Sequence, residues 1–172
     1  MRLLKNPQFL AVALGHLSVD LLNGQTGVLL AALSLSLGLR NAQLGLIATV
    51  YALLGALSQP FFGWLADREG GRWTTAGGVV WMAVFFALFA VVPAHWALVC
   101  LVAAALGSGA FHPPGAARAA QVGAHGLAGQ AATAASVFFL FGQIGLSAGP
   151  ALGGLILDAT GRAGVLGLAL LA

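Results

Sequence analysis

The chain is a series of long apolar runs separated by short polar breaks. The runs cover about 8–37, 42–66, 74–92, 96–120 and 131–157, and a shorter one covers 163–172. A helix needs about 20 mostly apolar residues to cross a bilayer. The five long runs meet that length, so the pattern predicts five complete spans and a partial sixth. Asn6-Pro7 precedes the first run as a helix start, because proline is tolerated in the first turn. Gly38, Arg40 and Asn41 end that run, Pro93 and His95 mark a short turn, and a polar Gln121–Gln130 stretch divides the fourth run from the fifth. His95 and His125 fall in these breaks and are expected in solvated loops.

Composition turns the pattern into a class. Of 172 residues, 60% are hydrophobic and only 6% charged. Soluble domains carry about 25% charged residues. Eleven charges cannot clothe a soluble fold, and seven scattered cations form no basic patch for nucleic acid. One cysteine excludes a disulfide scaffold. No residues have metal-ligand spacing along the chain, and neither metal nor cofactor is expected. The predicted class is an all-α membrane protein, with residues 1–172 forming one transmembrane bundle in a lipid bilayer. From Arg162 to the last residue, helix would cover only about 16 Å of a core about 30 Å thick. The sixth span is therefore expected to be incomplete and the chain to be a fragment.

Lys and Arg bias sets orientation. With the N-terminus inside, Arg2, Lys5, Arg68, Arg72 and Arg118 lie on the cytoplasmic side and Arg40 and Arg162 on the other. The N-terminus is expected to be cytoplasmic, in a multi-pass protein of the cell's inner (plasma) membrane. Trp73 and Trp96 sit at span ends as interfacial anchors.

Two stretches match 90 positions apart. Pro60-x-x-Gly63-x-Leu65 leads to Gly71-Arg72, and Pro150-x-x-Gly153-x-Leu155 leads to Gly161-Arg162. Three spans separate them, so the repeat is inverted in topology, a transporter architecture. The predicted fold is a six-helix bundle built as a 3+3 inverted repeat.

A few residues do not suit lipid. His16 and Asp20 lie four apart on one face of the first span, and Asn23 and Gly27 continue the stripe. An ionised carboxylate near the midplane costs several kcal/mol unless it is paired or faces water. The pair either loads and releases a proton or makes a structural hydrogen bond that fixes packing. The fourth span holds Ser108, His112, Pro113 and Pro114. Two prolines remove two backbone donors and predict a break in that helix. His112 lies at about the depth of His16, which suggests a shared cavity or else a kink held by a buried histidine. Arg118 is a topology anchor or an anion-binding group. Gln59 lines the cavity or satisfies backbone freed by Pro60. Gly145, Gly149 and Gly153 recur every four residues, allowing close helix approach, with Gln143 and Ser147 as polar contacts for packing or substrate.

Two stretches resemble signatures of the major facilitator superfamily. Gly63-Trp-Leu-Ala-Asp67-Arg68-Glu-Gly70-Gly71-Arg72 is similar to the family's helix 2–3 loop, with Gly71 standing where a basic residue is usual. Gly145-x-x-x-Gly149-Pro150-x-x-Gly153-Gly154 resembles the helix-5 signature of antiporters. Within the superfamily the likeness is to the fosmidomycin resistance group. It is carried by His16-x-x-x-Asp20, Ser58-Gln59-Pro60-x-x-Gly63 and Gly107-Ser-Gly-Ala-Phe111-His112-Pro113-x-Gly115.

The resemblance implies proton-driven efflux of a small anionic drug by alternating access, without enzymatic chemistry. Asp20 and His16 would carry the proton. His112, Asn23, Gln59, Arg118 and Gln143 would meet substrate, and Gly63, Asp67, Arg68, Gly70 and Arg72 would gate. It also implies a partner outside this chain, the C-terminal half of the same protein. Uptake of an organic anion and an inactive fragment are the alternatives. An intramembrane serine hydrolase fails because Leu106 breaks the Gly-x-Ser-Gly pattern around Ser108.

Overall fold

The computed structural model describes residues 3–126 and 130–171. Arg2, counted above among the inner cations, and part of the polar stretch after the fourth run lie outside the described residues. Six helices follow in order: α1 (Pro7–Leu37), α2 (Asn41–Glu69), α3 (Arg72–Val91), α4 (Ala94–Gly126), α5 (Ala131–Thr160) and α6 (Val165–Leu171). No strand occurs among the described residues.

The helix ends follow local chemistry. Asn6 caps α1, its side chain accepting from the backbone N–H of Gln8 at 3.0 Å and Phe9 at 3.1 Å, which satisfies donors the first turn leaves free. Gly38 closes α1 and Gly70 closes α2, both in the left-handed conformation glycine adopts without strain. Gly71 is left-handed as well, with φ +69°. A basic side chain there would be strained, which accounts for the departure from the loop signature.

Two expectations change. α4 runs through Pro113 and Pro114 as one helix, not as a broken one. Both prolines pack against glycines of α2 and its following turn, Pro113 beside Gly63 and Pro114 beside Gly71. Neighbouring helices thereby support the local backbone. α4 also extends past the apolar run, so His95 and His125 stand in its first and last turns rather than in loops. The His125 ring nitrogen Nδ1 donates to the Gln121 carbonyl one turn back at 3.0 Å.

Packing follows a pattern of parallel and antiparallel pairs. Leu17, Leu21 and Gln25 of α1 face Gly145, Gly149 and Gly153 of α5 in the same order, so these helices run parallel. Gly55 and Gly63 of α2 face Ala105 and Pro113 of α4, also in parallel. α1 and α4 cross antiparallel, with Asn23 against Ser108 and Gln8 against Arg118. Exchanging α1 with α4 and α2 with α5 reproduces these pairings. Phe9, Phe86, Phe89, Phe111, Phe138, Leu22 and Leu29 are fully buried in the core.

Among the described residues four helices, α2 to α5, are long and apolar enough to cross a membrane. α1 is not among them, although it is 31 residues long. His16, Asp20, Asn23, Gln25 and Thr26 fall within it and lower its hydropathy. The polar groups that set α1 apart are the ones that build the site. The chain is an all-α membrane protein.

Candidate functional site

Asp20 lies in the middle of α1, about 18 Å along the axis from Gln8 at 1.5 Å per residue. Its two carboxylate oxygens face different histidines. Oδ2 lies 3.1 Å from His16 Nε2 on the same helix. Oδ1 lies 3.4 Å from His112 Nε2 on α4. His16 and Asp20 are buried, whereas the His112 side chain is 22% exposed.

The far nitrogens of the two rings fix the proton arrangement. His16 Nδ1 donates to the Phe138 carbonyl of α5 at 2.8 Å. His112 Nδ1 donates to the Ser108 carbonyl at 2.7 Å. A carbonyl only accepts, so each Nδ1 must carry hydrogen. Each Nε2 then points at a carboxylate oxygen. Without a proton or cation between them, a lone pair would oppose an acceptor. Each contact therefore needs a proton or a metal ion between the nitrogen and the oxygen.

Hydrogen bonds extend the cluster to α2. Asn23 Nδ2 donates to Asp20 Oδ1 at 2.9 Å and to Ser108 Oγ at 3.0 Å. Tyr51 of α2 donates its hydroxyl to Asn23 Oδ1 at 2.6 Å. Asn23 is thereby committed at both ends of its amide. One polar network joins α1, α2, α4 and α5 at mid-height. Phe138 stacks on the His16 ring at 4.0 Å, and Phe111 lies 5.9 Å from it.

Glycine makes the room. A Cβ on Gly142 would run into the His16 ring and come within 2.7 Å of Asp20 Oδ2. Cβ atoms on Gly145 and Gly149 would strike the α1 backbone. Gly153 abuts the Gln25 side chain, whereas Gly154 has open space around it. Pro150 is exposed on the same helix.

Of the candidates named from sequence, His16, Asp20, Asn23 and His112 come together. Gln143 is exposed on the side of α5 away from the cluster's Gly142, and Gln59 is half-buried on α2. Arg118 lies at the loop end of the bundle, donating to Gln8 Oε1 at 2.7 Å. It shares a crevice of about 860 Å³ with Asp67, Gly70 and Arg72. Phe111 and Gly15 also line that crevice, so the Phe111 ring stands between it and His16. Arg68 lies over the Trp64 ring at 4.1 Å and Arg72 over Trp73 at 5.4 Å. Among the described residues neither has a carboxylate within ion-pair distance.

Sequence reasoning missed Tyr51, Gly142 and the backbone carbonyl of Phe138. Tyr51 is the chain's one tyrosine and sits within an apolar run, away from the interfacial ends where tyrosine belongs. That placement was the available signal. Linear spacing also missed a ligand set. One donor atom each from His16, Asp20 and His112 lies within 4.8 Å of the others. The antiparallel α1–α4 crossing creates the set from residues far apart in sequence.

The Major Facilitator Superfamily profile matches residues 10–172. The chain belongs to the major facilitator superfamily. It is 31% identical to the fosmidomycin resistance protein of Escherichia coli (strain K12) over 160 residues, 90% of this chain and 37% of that protein. It is 27% identical to the uncharacterized transporter YfnC of Bacillus subtilis (strain 168), over 96% of this chain and 40% of that protein. The chain thus spans about two fifths of the length of these curated relatives. No solved structure matches it. Superfamily membership makes it a multi-pass membrane protein with a partial major facilitator fold.

Proposed function

We propose that this chain is the N-terminal bundle of a proton-coupled exporter of a small anionic drug, working by alternating access with a C-terminal half. The orientation proposed is N-terminus inside, in the inner membrane. Likeness to a protein named for fosmidomycin resistance supports export, and the helix-5 glycines match the antiporter signature. The observation that carries the proposal is Asp20 held between two Nε2 atoms whose partner Nδ1–H groups are already committed.

The proton logic runs through His112. With a proton in both contacts, Asp20 holds both rings and the cluster is closed on itself. Loss of one proton sets an Nε2 lone pair against a carboxylate oxygen. The longer, part-exposed His112 contact is the one that yields. Its Nε2 is then open to an O–H or N–H of the cargo. A returning proton draws His112 back to Asp20 and releases the cargo. Proton and cargo thereby exclude one another, as exchange requires. Gly63, Asp67, Arg68, Gly70 and Arg72 gate at the loop end, where Asp67 and Arg72 line the crevice.

The test is Asp20→Asn in the whole protein, reconstituted in proteoliposomes. Drug efflux driven by a pH gradient is expected to fall to background while the variant still inserts. Efflux equal to wild type would remove Asp20 from proton coupling.

A further inference from the structure

We propose that His16, Asp20 and His112 form a binding site for one divalent transition-metal ion of the zinc or cobalt type. The inference uses the same three side chains as the transport reading but does not depend on their carrying a proton.

The donor chemistry selects the ion. Two imidazole nitrogens and one carboxylate oxygen suit zinc, cobalt and nickel. Magnesium and calcium prefer all-oxygen shells. The three donor atoms lie within 4.8 Å of one another, so small side-chain shifts bring them around one ion. Both histidines present Nε2, and both tie Nδ1–H to a backbone carbonyl, Phe138 for one and Ser108 for the other. That outer bond is the support metal-bound histidine nearly always has, fixing ring orientation and tautomer. Asn23 holds the carboxylate in the same manner.

The cluster also lacks what an ion would supply. Two lone pairs and a carboxylate converge, and among the described residues no lysine or arginine pairs with Asp20. Protons answer this one contact at a time, whereas one metal ion answers both. Three protein ligands leave a fourth position open, the arrangement of sites that exchange a ligand. Of the three ligands His112 is the most exposed, so an exchanging ligand has its access there. A bound metal would occupy the place the proton needs.

The experiment uses the whole protein in detergent, with an affinity tag free of histidine. Co²⁺ is titrated by calorimetry and by its visible ligand-field absorption. One Co²⁺ per chain is expected, with the intense bands of a four-coordinate site, and Zn²⁺ should displace it. His112→Gln replaces a part-exposed ring and should weaken binding at least about 100-fold, since even outer-shell changes cost 10–100-fold. Asn23→Ala should cost about tenfold. His125→Gln, at an exposed position, should change nothing. Size-exclusion profiles check that each variant is folded.

A wild type that takes up no Co²⁺ saturably overturns the site. So does a folded His112→Gln variant that binds as wild type does. Efflux measured with a chelator present separates the two proposals. Chelator-resistant efflux without Co²⁺ uptake leaves the transport reading and removes the metal. Co²⁺ uptake with unimpaired Asp20→Asn efflux does the reverse.

Discussion

The α1–α5 and α2–α4 seams are counterparts, each a parallel contact lined by glycine, yet they are filled differently. On α5, Cβ atoms at Gly142, Gly145 and Gly149 would strike side-chain or backbone atoms of α1. On α2, a Cβ at Gly55 would lie 3.5 Å from the Ala105 carbonyl oxygen and one at Gly63 3.6 Å from Pro113. Those are ordinary contacts. The first seam has backbone against backbone and encloses Asp20. The second meets as closely at one place only, from the α4 side, where a Cβ on Gly109 would run into Ser58 and come within 2.8 Å of the Gly55 carbonyl oxygen. Its polar Ser58 bonds back to its own helix. Close approach on α5 keeps lipid from a carboxylate and packs the His16 ring against Gly142. The glycines and the buried acid are two parts of one solution.

The sharpest way to break the comparison is Gly145→Leu. Its side chain would have to pass through the Leu17 carbonyl and the Leu21 amide of α1. No local rearrangement accommodates that, so folded protein should be lost. Fluorescence-detected size exclusion of membranes would show it as aggregate or absence. Gly154→Leu, where the space is open, should leave the folded peak of this bundle intact. Equal loss in both would mean that the seam is not special.

Gly142→Ala comes next. The added methyl presses on the His16 ring and on Asp20 Oδ2, not on backbone. Overpacking costs about 1–3 kcal/mol. The variant should fold with a lowered melting temperature and lose gradient-driven efflux more than stability. A melting curve and a flux assay on one preparation test both halves of that statement.

Gly55→Ala should act with opposite sign. The methyl meets only van der Waals contacts, and alanine is favoured over glycine within a helix by about 1 kcal/mol. A gain in thermal stability up to that size is expected. A loss matching Gly142→Ala would show the α2 side of the seam at Gly55 to be as tight as α5 is at Gly142.

The same contrast explains what could be read from sequence. His16–Asp20 was legible because four residues within one helix fix a shared face. Gly145, Gly149 and Gly153 were legible as a close-approach stripe for the same reason. The His112–Asp20 contact depends on where α1 crosses α4, and residue spacing holds no information on crossing. Depth along each span brought the two histidines to one level but could not orient them. Gln143 shows the limit. It neighbours Gly142 in sequence, yet one residue on turns a helix by about 100°, so it points away from the cluster. The prolines of α4 misled because proline rules describe an isolated helix. Here Gly63 and Gly71 leave space for Pro113 and Pro114.

The smallest expected effect is that of Tyr51→Phe, which bears on how α2 is held to the cluster. Tyr51 donates to Asn23 Oδ1, and the Asn23 amide donates in turn to Asp20 and Ser108. Ala66 is the only buried apolar side chain of α2 among the described residues, so the helix leans on this contact more than its length suggests. Hydrogen bonds between helices in membranes average about 0.6 kcal/mol. Removing the hydroxyl should therefore lower stability by about that amount. The greater consequence is orientational: without Tyr51, the Asn23 amide can flip and present its oxygen to Asp20, replacing a donor by an acceptor. That predicts a change in the pH dependence of efflux larger than the stability loss would produce. A pH–rate profile identical to wild type would confine Tyr51 to packing.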